Sequence, residues 1–292
     1  MTTNAGYTGG PGAPRIYGVA MDVKFNLRDG PESMMEIRPI TGNIGAEITE
    51  IDLRGPLSDT TFDQLDQALC EYKVLAIRDQ GGVGPAELER LAARFGTLEA
   101  SQHNLHKYFP EWPSVKVLET TGEGIFGAVS DTWHTDGSAR IKTNWTSFLQ
   151  AIEVPDYGRD TVFADMEAAY EGLSRDTQAF LENLTAVHSW GIQEPDAAPV
   201  EHPVIYTDPR TGRKAIYVNR AYTRSIIGMR EAESSALLEF LYLQTHTPEY
   251  QVRVSWRPGT IVAWDNQRTQ HYLVQDRKFR RVMHRAMTLR PF

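Results

Sequence analysis

Two short stretches of this chain carry residue types that could do chemistry together. The first, Asp131-Thr132-Trp133-His134-Thr135-Asp136-Gly137, sets an imidazole and a carboxylate two residues apart. In an extended backbone that spacing turns both side chains to one face, where they could share a cation. Alone the pair carries little weight: with eight histidines in the chain, a His-x-Asp arises by chance roughly 0.5 times, and a surface histidine explains it as well. The second stretch runs from Trp264-Asp265-Asn266 through His271 to Arg280-Arg281 and Arg285. Adding His271 to His134 and Asp136 gives two imidazoles and one carboxylate, a set that leaves three positions open on iron(II). Two of those suit a bidentate 2-oxo acid and the third dioxygen. A cation ten residues beyond the last ligand, Arg281, could hold a distal carboxylate in a bidentate pair.

Such a constellation needs a frame that brings distant segments together. Glycines and prolines crowd residues 1–36, which read as a flexible leader, and 37–292 read as one catalytic domain. Extended segments are expected at Glu36–Ile40 and Ala46–Leu53. A helix follows, capped by Ser58 or Asp59, with Phe62, Leu65, Leu69 and Tyr72 on its apolar face. Lys73–Ile77 reads as a buried strand, and Pro85 to Gly96 as a second helix. Beyond residue 114 strands dominate: Val115–Leu118, Ser147–Val154, Ala186–Ile192, Val204–Tyr206, Ala215–Val218, Val252–Trp256, Thr260–Trp264 and His284–Leu289. Helical stretches interrupt them near Met166–Leu184, with Ser174 as an internal cap, and over Arg230–Thr245, where Ala236, Leu237, Phe240 and Leu241 are expected to face the core. The expected class is mainly β with flanking helices, a sandwich or jelly roll.

In their order and distances these motifs resemble the taurine and 2,4-dichlorophenoxyacetate dioxygenases, a family of iron(II)- and 2-oxoglutarate-dependent enzymes. The resemblance runs from about Ile37 to Leu289. It rests on Trp133-His134-Thr135-Asp136, Asp160-Thr161, Tyr217-Val218-Asn219, Trp264-Asp265-Asn266 with His271, and Arg281 with Arg285. It implies a double-stranded β-helix, the jelly roll of the cupin-like folds. By the same resemblance His134, Asp136 and His271 are the iron(II) ligands, Thr161 and Arg281 hold 2-oxoglutarate, and Arg285 meets an anionic group of the substrate. The implied reaction consumes O2 and 2-oxoglutarate, releases succinate and CO2, and hydroxylates a small anionic molecule, with C–heteroatom cleavage where the hydroxylated carbon bears a leaving group. Three departures stand out. Where the taurine-type enzymes carry a sulfonate-binding histidine, after Phe95-Gly96, the aligned stretch here is Leu98-Glu99-Ala100-Ser101-Gln102-His103-Asn104, which argues against taurine. Arg159 replaces a usual glycine. The spacing from His271 to Arg281 is one residue short, so Arg280 competes with Arg281, although Arg281 keeps the four-residue separation from Arg285. Ser101, His103 and Asn104 are candidates for the substrate mouth, and Phe126 and Ser130 for a lid within 122–130.

Composition bounds the alternatives. Of 292 residues, 41% are hydrophobic and 23% charged, enough apolar surface for a large core. Thirty basic against 38 acidic residues leave a net charge of −8, which disfavours a nucleic-acid partner. The single cysteine, Cys70, rules out an internal disulfide and a thiolate zinc site, and reads as a small core residue. With no apolar run of membrane-spanning length and no signal-peptide pattern, a cytoplasmic enzyme acting on a small molecule is expected, assembled as a homo-oligomer and without a membrane partner. Two other readings stay open: a tailoring oxygenase or desaturase of secondary metabolism, and a jelly-roll sensor without turnover.

Overall fold

The structure, a computed structural model, describes residues 35–100, 107–120, 131–191, 196–274 and 279–289. The leader over 1–36 therefore lies outside the described residues apart from its last two. In chain order the elements are β1 (Glu36–Pro39), β2 (Ala46–Thr49), α1 (Asp59–Tyr72), β3 (Val74–Ile77), α2 (Pro85–Phe95), β4 (Thr97–Leu98), β5 (Lys107–Phe109) and β6 (Trp112–Thr120). Next come β7 (Asn144–Glu153), β8 (Thr161–Asp165), α3 (Met166–Glu171), α4 (Arg175–Leu181), β9 (Thr185–His188), β10 (Val200–Pro203), β11 (Ile205–Thr207), β12 (Lys214–Ile216) and β13 (Thr223–Ile226). The chain closes with α5 (Glu231–Leu243), β14 (Gln251–Val254), β15 (Ile261–Asp265), β16 (Thr269–Leu273) and β17 (Arg281–Leu289).

A major sheet runs in the order β1-β2-β3-β15-β7-β17-β6-β5, with β4 on β17, and is antiparallel except where β2 meets β3. Facing it is a smaller sheet, β14-β8-β16. The strand sequences explain the stacking. Along β3, Leu75 and Ile77 enter one apolar cluster with α1 and α2, through Leu65, Leu69, Leu88 and Phe95, while Val74 and Ala76 enter another between the sheets. Strand β15 divides the same way, Ile261 and Ala263 outward and Val262 and Trp264 inward. Alternation with period two is what a strand covered on both faces requires. Each fully buried Leu, Ile or Phe contributes about 1.5–3 kcal/mol, so these two clusters, rather than the polar site, hold the frame. The inner one also takes Phe163 from β8 and Val252 and Val254 from β14, closing the double-stranded β-helix that was expected. A third cluster joins α3, α4 and α5 to β9, β11, β12 and β13.

Helix ends follow their local chemistry. The Ser58 hydroxyl accepts from the Thr61 amide at 3.1 Å, and α1 stops at Lys73, whose φ of 64° lets its amide donate to the Leu69 carbonyl. Pro85 opens α2, where the Glu87 carboxylate accepts from the Gly84 amide at 2.9 Å. Ser174 caps α4, splitting the expected Met166–Leu184 stretch into two helices. Other expectations need correcting. Strand β2 ends at Thr49, because Glu50 takes a φ of 58° that no strand continues. The core face of α5 is Ser234, Leu238 and Leu241, whereas Ala236 is exposed and Phe240 is 43% exposed. Cys70 is half-buried. Among the described residues no helix is long and apolar enough to cross a membrane.

Candidate active site

His134 and His271 belong to remote segments that meet as an antiparallel bridge: each amide donates to the other's carbonyl, at 3.1 and 2.9 Å. Bridge partners project to the same side, and the two rings lie 4.0 Å apart between centroids. In this segment only His134 pairs as a strand residue does. Asp136 starts a turn, so its alignment with His134 does not come from strand periodicity. What sets it is Asn266, whose side-chain oxygen accepts from the Asp136 amide at 3.0 Å while its Nδ2 donates to the Asp136 carbonyl at 2.8 Å. The turn continues through Gly137 at a φ of 65°, where a Cβ would fall 2.1 Å from Asn144 Oδ1. Glycine is required there twice over, by dihedral and by space.

The three side chains offer ligand atoms that all lie within 4.8 Å of one another. His134 Nε2 and His271 Nε2 stand 3.8 and 3.9 Å from the two oxygens of Asp136, close enough to share an ion and too far to hydrogen-bond. A carbonyl can only accept, so the 2.7 Å contact of His134 Nδ1 with the Thr132 carbonyl puts the proton on Nδ1 and leaves the Nε2 lone pair facing the carboxylate. Burial lowers the pKa of both imidazoles, that of His271 to about 3. Burial by itself would raise Asp136, but His271, Arg285 and His134 around it prevail and hold it at about 2. Two neutral imidazoles and one carboxylate are the donor set of a divalent metal, and the residues fit one. Trp264 and Phe163 wall the His271 ring at 5.1 and 5.9 Å.

On the neighbouring face Arg281 is buried, and its Nε and Nη2 have no hydrogen-bond partner among the described residues. Its guanidinium lies 5.0 Å from the centre of the Trp256 ring, and Trp256 Nε1 donates to Thr161 Oγ1 at 3.1 Å, so one tryptophan touches both residues of the expected pair. Burial, then the like charge of Arg159, lowers the Arg281 pKa to about 9, the mark of a cationic site short of an anion. Arg280 points away from this site. It is exposed and paired with Glu119 at 2.9 Å and with Glu153. Arg285 approaches Asp136 at 3.7 Å, and its buried Nε has no hydrogen-bond partner among the described residues. Ser101, His103, Asn104, Phe126 and Ser130 lie outside the described residues.

Residues 36–287 match the family described as "Taurine catabolism dioxygenase TauD, TfdA family". The chain belongs to the TauD/TfdA dioxygenase family. It is 33% identical over 272 residues to an alkylsulfatase of Acinetobacter baylyi, covering 84% of this chain and 82% of that protein. A pentalenolactone F synthase of Streptomyces arenae is 28% identical over 286 residues, with 87% and 95% covered. The solved structure of a taurine dioxygenase from Burkholderia xenovorans superposes with a TM-score of 0.79 at 30% identity, over 87% of this chain and 89% of that one.

Within this family member, several residues of the site escaped sequence reasoning. Trp256 looked like an ordinary strand residue, and its bond to Thr161 needs β14 and β8 to be neighbours. Asn266 was read only as part of a motif, with no sign that it fixes the Asp136 turn. Beside the ligands, Trp264 is buried between the sheets, and Trp133 packs 5.7 Å from Tyr272. His284 packs edge-on against Phe109, its ring centroid 4.9 Å away.

Proposed function

We propose that His134, Asp136 and His271 hold iron(II), that Arg281 and Thr161 hold the distal carboxylate of 2-oxoglutarate, and that Arg285 meets an anionic group on a small organic substrate. The chain is a 2-oxoglutarate-dependent dioxygenase by family. The observation that carries the site assignment is the convergence of two neutral imidazoles and one carboxylate, largely buried and with their side chains not bonded to one another, with ligand atoms within 4.8 Å. With no thiolate, that set favours a metal such as iron(II) over softer sites.

Bound together, iron(II) and 2-oxoglutarate supply the activation of dioxygen, the 2-oxo acid leaving as succinate and carbon dioxide. The protein's part is placement. The Thr132 carbonyl fixes the His134 tautomer, and Asn266 fixes the Asp136 turn. Trp264 and Phe163 keep water from the His271 side. The unpaired donors of Arg281 orient the co-substrate, and Arg285 sets the substrate by its charge rather than by its carbon skeleton. Among anions, the alkylsulfatase relative supports a sulfate ester or sulfonate. The departure from the taurine-type pattern over Leu98–Asn104, where those enzymes carry a sulfonate histidine, speaks against taurine itself. The pentalenolactone F synthase relative supports a second reading, a tailoring oxygenase or desaturase. In the same proposal the enzyme is cytoplasmic and homo-oligomeric, the assembly being checked by sedimentation velocity.

The test is succinate formed per 2-oxoglutarate consumed under air with added iron(II), across alkyl sulfates, sulfonates, aryloxy acids, amino-acid derivatives and terpenoid acids. One succinate per 2-oxoglutarate, stimulated by one of these classes, is expected. No succinate and no oxygen uptake with any of them would leave a jelly roll that binds without turnover.

A further inference from the structure

Strand β6 pairs with β17 in a register that sets Lys116 directly opposite Arg285. Directly opposed residues of an antiparallel pair share a face, and like charges there repel. Both are largely withdrawn from water, Lys116 at 6% exposure and the Arg285 side chain at 20%. A carboxylate close by, Glu99, does not resolve the conflict. It is already engaged by Arg140 and accepts from Asn144 Nδ2 at 3.0 Å, and Lys116 Nζ stands 3.8 Å from it, beyond hydrogen-bond reach. Among the described residues the Lys116 ammonium donates no hydrogen bond. Arg285 stands 3.7 Å from Asp136, the carboxylate assigned to the metal, and its Nε is unpartnered. Among the described residues, Glu99 is thus shared between Arg140 and Lys116, and Asp136 between Arg285 and the metal, so the two facing cations share carboxylates that are already engaged and the spot carries more positive than negative charge.

We propose that Lys116 and Arg285 form a two-cation seat for an oxyanion group of the substrate, such as a sulfate ester or sulfonate, with Lys116 as the specificity-determining partner. The inference rests on the metal and co-substrate reading above and adds a residue to it. Two cations contributed by neighbouring strands can grip one oxyanion from two directions, the ammonium adding a point charge to the planar fork of the guanidinium. Burial first, and the charge of Arg285 second, lower the Lys116 pKa, and the opposing pull of Glu99 does not offset them. Glu99 and Arg140 act as the positioning pair: Glu99 draws Lys116 to one side, and its charge opposes that of an incoming anion.

The experiment is calorimetric titration of inorganic sulfate, under nitrogen and at constant ionic strength, into protein loaded with iron(II) and 2-oxoglutarate. The wild type is expected to bind sulfate saturably at one site. Lys116→Met should weaken it at least about tenfold, and Lys116→Arg should stay within about threefold of wild type. Glu99→Gln keeps one acceptor oxygen, turns the other into an amide donor and removes a negative charge, so it should tighten sulfate, an opposite sign that misfolding cannot mimic. Sulfate affinity unchanged in Lys116→Met, or weakened in Glu99→Gln, would overturn the seat. Failure of 2-oxoglutarate itself to bind in the preceding titration would overturn the metal and co-substrate reading as well, so the two failures are told apart.

Discussion

At the scale of single residues, the site depends on which polar groups are left without a protein partner. The side chains of His134, Asp136 and His271 approach without bonding to one another, and among the described residues two buried donors of Arg281 have no partner. Buried polar groups are normally paired, so orphans in such number point to a missing ligand. Replacing His271 or Asp136 by Ala should abolish turnover and remove stoichiometric metal binding, read by equilibrium dialysis, because two remaining ligands hold a labile ion poorly. Arg281→Leu should raise the 2-oxoglutarate KM more than tenfold, since losing a desolvated charge-assisted pair costs roughly 2–5 kcal/mol. Arg280→Leu should leave that KM within about twofold, its partners being the exterior carboxylates Glu119 and Glu153. An effect in Arg280→Leu alone would move the clamp by one residue. Residue types made this much legible: the imidazoles, the carboxylate and the arginines were identifiable because few side chains bind a metal or a carboxylate. Lys116 and Glu99 were not, because a lysine in an alternating strand reads as an exposed one until the register places it against Arg285.

Elements were legible in proportion to how purely packing decides them. The buried strand β3 and the capped helices α1 and α2 follow from alternation and from end residues, and they stand where expected within a residue or so. Strand β16, which carries His271, was missed: Thr-Gln-His-Tyr-Leu has no apolar alternation, because its inward face serves the site rather than the core. The turn after Asp136 was missed for a related reason. Its shape comes from the side-chain bonds of Asn266 across the chain and from the left-handed Gly137, and no local periodicity encodes it. This turn yields a prediction of its own. Gly137→Ala adds the cost of a positive φ to a Cβ that meets Asn144 Oδ1, so it should destabilise by about 2–3 kcal/mol and lower the Tm by several degrees. Metal affinity should fall with it as Asp136 shifts. A Gly137→Ala protein with wild-type Tm and metal affinity would show that the turn is not under this constraint.

Over the whole molecule, the jelly roll was foreseeable from the number of short strands, whereas the way its sheets share polar cargo was not. Beneath the β15–β16 turn, Arg268 is fully buried among Asp265, Glu167 and Asp208, at 3.0, 3.0 and 3.3 Å, and Lys73 meets Asp165 at 3.1 Å. No sequence pattern announces such a network, since its members come from both ends of the chain. Another buried group sets a pH dependence. His188 lies between Ser138 and Thr223, and burial, followed by the charges of His202 and Arg224, lowers its pKa to about 3 from an ordinary 6.5. Below pH 6.5 the unfolded chain takes up a proton at His188 that the folded chain refuses until about pH 3. Stability from this group is therefore intact above pH 6.5 and declines as the pH falls through that window, by about 2–3 kcal/mol at pH 4.5. Urea unfolding of the metal-free wild type and of His188→Gln at pH 7.5 and 4.5 should show the smaller acid loss in the variant, and equal losses would remove His188 as the cause. The central claim, that this fold brings three remote ligands together for a metal that receives 2-oxoglutarate, is tested most directly by anaerobic titration of 2-oxoglutarate into iron(II)-loaded protein, followed by visible charge-transfer absorption. A band that saturates at one 2-oxoglutarate per chain, and that is lost in His271→Ala, is the predicted result. A wild type without such a band, or a His271→Ala protein that keeps it, would contradict the account.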